Sequence, residues 1–146
     1  MVSGLGDLSI CLAIAAIGSA LGTGVAGMAA IGAWKRAYLQ NKAAPFNLVA
    51  FVGAPLTQTI YGMILRNSIQ TANLPPASYQ YQMILGAFAG FAIGMSAFMQ
   101  GRAAAKAADA LAETGKGFGQ YMMVIGVIET VAIFVMVFTM TAIPKM

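Results

Sequence analysis

Val127-Ile128-Glu129-Thr130-Val131-Ala132-Ile133-Phe134 places a carboxylate near the middle of a long apolar run. Glu129 is the only formal charge between Lys116 and Lys145. A run of that length reads as a membrane-spanning helix. An ionised carboxylate at such depth is costly, so it normally has a partner and usually a function. Either a proton keeps it neutral, or a cation and polar ligands compensate it. The bland alternative is a carboxylate that snorkels or pairs for structure alone.

Working outward, 60% of the 146 residues are hydrophobic and only 8% charged, which excludes a soluble globular domain. The length allows four spans with short connections. The net charge of +4 sits in or near the loops, so it points to the basic loops of a membrane protein and not to nucleic acid. Cys11 is the only cysteine and there is no His, which removes internal disulfides, His/Cys metal sites and His-dependent triads. The segment from Met1 to Asp7 lacks the basic start of a cleaved signal, so the first span is expected to be retained.

No charge occurs from Leu8 to Trp34, from Ala43 to Leu65 or from Asn67 to Gly101. The reading is an all-α membrane protein with spans near 7–33, 46–69, 80–111 and 118–143. Loop one, 34–45, holds Lys35, Arg36 and Lys42. Loop three, 112–117, follows Lys106 and Asp109, carries Glu113 and Lys116, and has Gly115 and Gly117 as breakers. Loop two is uncharged, and Pro75-Pro76 disfavours helix there. Basic loops one and three are therefore expected in the cytoplasm, with the termini outside; Arg66 and Lys145 dilute that bias.

The two halves look alike. Gly22-Thr23-Gly24-Val25-Ala26 in span one corresponds to Met99-Gln100-Gly101-Arg102-Ala103 in span three, and Gln58-Thr59 in span two to Glu129-Thr130 in span four. Two tandem hairpins, 1–72 and 73–146, explain this as a duplication with Gln replacing the carboxylate in the first copy. Gly18 and Gly22, and Gly86, Gly90 and Gly94, recur every four residues, a spacing that lets helix backbones approach closely. Spans one and three thus suit a crowded inner position, and spans two and four, with Met122, Phe134 and Phe138, an outer one. The same stripe would also serve a simple dimer.

Polar residues converge on one depth. At ~1.5 Å per residue, Glu129 lies roughly 16 Å from residue 118, Gln100 roughly 16 Å from 111 and Gln58 roughly 18 Å from 46. Thr57 adjoins Gln58, and Tyr61 follows one turn on. Pro55 lacks an N–H, so a kink is expected just before them. One carboxylate among neutral oxygens suits a hard cation, and its single charge suits a monovalent one. Arg102, two residues from Gln100, is the discordant feature at this depth.

These residues resemble the rotor-ring proteolipid (c or K) subunit of V-type and A/V-type ATPases, over essentially the whole chain. The motifs are Pro55-Leu56-Thr57-Gln58-Thr59-Ile60-Tyr61-Gly62, Gln100-Gly101-Arg102-Ala103-Ala104-Ala105 and Val127-Ile128-Glu129-Thr130-Val131-Ala132-Ile133. The resemblance implies a homo-oligomeric ring of duplicated hairpins that carries Na+, held by Leu56 through its backbone, Thr57, Gln58, Gln100 and Glu129, with Tyr61 supporting the carboxylate. It implies a stator membrane subunit bearing a cation, central-stalk contacts at loops 34–45 and 112–117, lipid around the ring, and no catalysis by this chain, hydrolysis residing in other subunits. A proton-carrying ring is the alternative ion reading. A small four-helix multidrug or cation exporter is the alternative of another class, though such a protein usually carries its carboxylate in the first span and shows no duplication.

Overall fold

The computed structural model describes residues 4–144, and all its regular elements are helical. Helix α1 spans Ile10–Leu39, α2 Leu48–Gly53, α3 Thr57–Thr71, α4 Tyr79–Thr114 and α5 Phe118–Ala142. A single 3-10 turn, Ala54–Leu56, joins α2 to α3, so the two form one interrupted rod over Leu48–Thr71. Pro55 sits in that turn, where it has no N–H to offer the helix. Among the described residues four rods are long and apolar enough to cross a membrane: α1, α2–α3, α4 with its 3-10 lead-in, and α5. Lys145, which bears on the orientation, lies outside the described residues, as do Met1 to Ser3.

The largest helix interface is α1 against α4. It exists because both present backbone at the contact. A β-carbon on Gly18 would overlap the backbone of Gly94, and one on Gly101 the backbone of Gly22. Without side chains between them, the two helices gain close van der Waals contact, the main attraction available in lipid. By contrast, α5 buries only Ile125 and Ala132 and leaves Met123, Val127, Val131, Phe134 and Phe138 exposed. Crowded α1 and α4 form one side of the molecule, α2–α3 and α5 the other.

Residues 34–39 belong to helix, not to loop one. No breaker interrupts Trp34 through Leu39, and α1 runs on to Leu39. Arg36 on that extension pairs with Asp109 at 2.9 Å and Glu113 at 3.3 Å on α4. The indole N–H of Trp34 donates to the Pro45 carbonyl at 2.8 Å, folding the connection back onto α1. At the other connection 112–114 complete the last turn of α4. Gly115 then ends it in the left-handed region (φ 66°), its N–H donating to the Leu111 carbonyl at 2.8 Å.

The start of α1 is fixed by Asp7, which is buried. Its carboxylate accepts from the N–H of Ser9 at 3.0 Å and of Cys11 at 2.8 Å, satisfying donors that a helix leaves free at its first turn. Gly86 on α4 leaves room for that carboxylate, since a β-carbon there would overlap it.

Two apolar clusters fill the interior. One gathers Ala30, Leu48, Phe51, Ala104, Leu111 and Ile125 toward the end carrying the basic residues of loop one. The other gathers Cys11, Leu65, Ile69, Ile93, Ala132 and Ile143 toward the opposite end. Between them, on three rods at once, lie Gln58, Gln100 and Glu129.

Candidate functional site

Phe51 and Leu65 bracket Gln58 along α2–α3, Ile93 and Ala104 bracket Gln100 along α4, and Ile125 and Ala132 bracket Glu129 along α5. The amides are fully buried and Glu129 is half-buried. Buried amides and a carboxylate between apolar layers need partners, and they find one another.

The Tyr61 hydroxyl donates to Glu129 Oε1 at 2.7 Å. Gln100 Nε2 donates to Glu129 Oε2 at 3.2 Å and to the Ile125 carbonyl at 3.1 Å. Gln58 Nε2 donates to Gln100 Oε1 at 2.7 Å. Thr57 Oγ1 lies 3.2 Å from Gln58 Oε1 and 3.1 Å from the Ala54 carbonyl, and its one proton serves either acceptor. Donation runs from Gln58 to Gln100 and from Gln100 to Glu129, so each amide points its N–H end toward the carboxylate. With Tyr61 on the other oxygen, both carboxylate oxygens accept a hydrogen bond.

Five of the six residues singled out in the sequence, Thr57, Gln58, Tyr61, Gln100 and Glu129, therefore share one network. For Leu56, expected to contribute its backbone oxygen, no hydrogen bond to a side chain of the network is found among the described residues. The backbone oxygen tied to the network is that of Ala54, at the start of the 3-10 turn around Pro55. Ser96 is a further participant that the sequence reading does not single out. Its hydroxyl donates to the Ile128 carbonyl at 2.9 Å, pinning α4 to α5 one turn from Gln100. The four-residue spacing from Gln100 is the signal that could have found it. Arg102, discordant in the sequence, is roughly 200° around α4 from Gln100 and exposed, on the side away from the network.

What these groups offer is a set of hard oxygens around one negative charge: a carboxylate, two amide oxygens, a hydroxyl and a main-chain carbonyl. Among the described residues no cluster of His, Cys, Asp or Glu could hold a metal, so a multiply charged ion finds no second anion here. The amide end of the site is fully buried and the carboxylate end half-exposed, so the site opens at Glu129.

Fold and site together define a polytopic helical membrane protein with one mid-span carboxylate in a polar layer. Residues 83–142, which take in most of α4 and all of α5, match the sequence model of the ATP synthase C-subunit family. That segment holds Gln100 and Glu129; Thr57, Gln58 and Tyr61 lie outside it. No curated protein matches the chain.

Proposed function

We propose that this chain is the membrane rotor subunit of a rotary ATPase and that Glu129 carries a sodium ion as a ring of identical copies turns against a stator. The observation that carries the reading is the pair of donors, Tyr61 and Gln100, holding both oxygens of a half-buried carboxylate in a layer of neutral oxygens. The match of residues 83–142 to the ATP synthase C-subunit family supports it.

In this mechanism sodium binds Glu129 with the Thr57 hydroxyl and the oxygens of Gln58 and Gln100, whose amides turn over to present those oxygens in place of the N–H groups that face the carboxylate in the hydrogen-bonded network. The resemblance assigns a main-chain ligand to Leu56; the position of the Ala54 carbonyl favours that atom for the same task. The ion neutralises the carboxylate, so the open side of the site can face hydrocarbon during rotation. A stator cation drawing close substitutes for the ion and releases it. Carrying one charge against 100 mV requires ~2.3 kcal/mol, within reach of stepwise rotation driven by ATP. One carboxylate per four helices gives few ions per turn for a given ring circumference. The basic loops face the cytoplasm, where they meet the stalk. The hairpins 1–72 and 73–146 are two copies of one unit, of which only the second kept its acid.

The test is sodium uptake by vesicles containing the whole complex with every copy carrying Glu129→Gln. That substitution keeps shape and loses charge, so uptake should stop while the oligomer still assembles. Sodium uptake that persists would overturn the assignment.

A further inference from the structure

We propose, resting on the sodium reading of the site, that Ser19 of α1 accepts an N–H of the Gln58 amide when the cation binds. Helix α1 thereby sets the sodium affinity of a site built on the other three rods. Ser19 is 2% exposed, and its hydroxyl has no hydrogen-bond partner among the described residues. Ser68, Thr71, Thr130 and Thr141 turn their hydroxyls back onto carbonyls of their own helices. Ser19 does not, and a buried polar group left unanswered is costly. Packing gives no reason for the hydroxyl, since Ala15 and Gly22 on the same stripe of α1 fill the contact without one.

Register sets Ser19 against Gln58. A β-carbon on Gly62 would meet the Ala15 side chain, and one on Gly22 the Pro55 side chain. Ala15 therefore faces Gly62, and Gly22 faces Pro55, with α1 antiparallel to the α2–α3 rod. Ser19 lies four residues beyond Ala15, and Gln58 four residues before Gly62. The same register brings these two to one level between the flanking pairs. Ala15, Ser19 and Gly22 form one stripe of α1, and Pro55, Gln58 and Gly62 form the stripe that meets it. Both Ser19 and Gln58 are buried.

Cation binding leaves Gln58 with a donor to place. In the hydrogen-bonded network Gln58 Nε2 donates to Gln100 Oε1 at 2.7 Å, and Gln58 Oε1 lies 3.2 Å from Thr57 Oγ1. Turning both amides reverses the bond between them, so that Gln100 donates and Gln58 accepts. The amide nitrogen of Gln58 then moves to the far end of the chain of hydrogen bonds, beside Thr57. It carries two N–H donors, and the Thr57 hydroxyl, itself a ligand of the ion, has room for one at most. The other is stranded unless an acceptor waits there. The Ser19 hydroxyl has uncommitted lone pairs at this level. By accepting that N–H, it holds the Gln58 oxygen toward the ion. Ser19 is thus a positioning residue that acts through Gln58.

The test is protection of Glu129 by sodium against a hydrophobic carbodiimide in the assembled full-length protein, read beside the labelling rate without sodium. Ser19→Ala should raise the sodium needed for half-protection roughly five- to 150-fold, the effect of one stranded donor. The sodium-free rate should stay unchanged, because the amides there keep the arrangement that leaves Ser19 idle. A merely structural role would move both readouts together. Ser19→Cys keeps the volume but offers a poor acceptor, so it should lose sodium affinity as Ser19→Ala does. It also decides the matter if the alanine variant fails to assemble. Added to Gln58→Ala, Ser19→Ala should weaken sodium no further, since the donor it answers is gone. Unchanged sodium affinity in Ser19→Ala, full affinity in Ser19→Cys, a sodium-free rate that shifts with them, or an additive loss beside Gln58→Ala would overturn the role of Ser19 and leave the sodium reading standing. Labelling of the unmodified protein that sodium does not slow would overturn both.

Discussion

The hydroxyl of Tyr61 donates a 2.7 Å hydrogen bond to Glu129 Oε1, joining residues 68 positions apart. It is the link between α3 and the carboxylate of α5, and it fixes which way that carboxylate points. Under the rotor reading, Tyr61→Phe should leave assembly intact but weaken sodium binding. A lost hydrogen bond to a charged group is worth about 1.5–3 kcal/mol, or roughly 10- to 150-fold in affinity. Sodium titrations of transport or of label protection will read this, and unchanged affinity would reduce Tyr61 to a packing residue.

Sodium should protect Glu129 from a hydrophobic carbodiimide. The reagent attacks the protonated acid, so sodium that occupies the carboxylate should suppress labelling. Gln100→Ala removes a donor to Glu129 and the acceptor of Gln58 together. At about 1–3 kcal/mol, that variant should need roughly five- to 150-fold more sodium for equal protection. Labelling indifferent to sodium across about pH 5 to 8, the span flanking neutrality, would favour the proton-carrying ring.

Close approach of α1 and α4 makes their glycines unequal. Gly18→Val drives a side chain into the backbone of Gly94, where relief is impossible without separating the helices. Overpacking of this kind costs about 1–3 kcal/mol or more, and the folded, assembled fraction in detergent should drop sharply. Gly24→Ala, with nothing within 4 Å of the added carbon, should leave that fraction unchanged or raise it. Equal behaviour of the two variants would contradict the packing.

Charge changes at the basic end of α1 should separate two roles. Arg36 is already engaged by Asp109 and Glu113. Both pairs are well exposed, so Arg36→Gln should cost at most about 1 kcal/mol of stability. Lys35 has no such partner among the described residues. If a stalk docks on this end, Lys35→Glu should weaken its attachment measurably more than Arg36→Gln in pull-down of the complex. The reverse order would mean that the Arg36 pairs open on docking.

Much of the architecture is legible from rarity. Carboxylates and amides are scarce in apolar runs, so Gln58, Gln100 and Glu129 stand out, and constant helix rise is enough to put them at one level. Pro55 marks the interruption between α2 and α3 because its missing N–H acts locally. What the sequence hides depends on partners distant along the chain. Arg36 meets Asp109 and Glu113 only once α1 lies along α4, and that pairing accompanies the helical course of residues 34–39. Asp7 gives no sign in the sequence that its carboxylate turns onto the first N–H groups of α1, after left-handed Leu8 (φ 53°) and Ser9 (φ 67°). The Ala54 carbonyl is invisible there because backbone oxygens leave no trace in residue identity.

The two apolar clusters on either side of the polar layer also act as an insulator. Leu48 and Phe51 with Leu111 close one end of the molecule's interior, and Leu65, Ile69 and Ile143 close the other. A bare ion entering along the helix axis would have to shed its water against these apolar residues at both ends. Under the rotor reading, an ion would therefore reach Glu129 laterally, from a neighbouring protein able to offer a wet path, and flux would be gated by that meeting and not by diffusion through the helices.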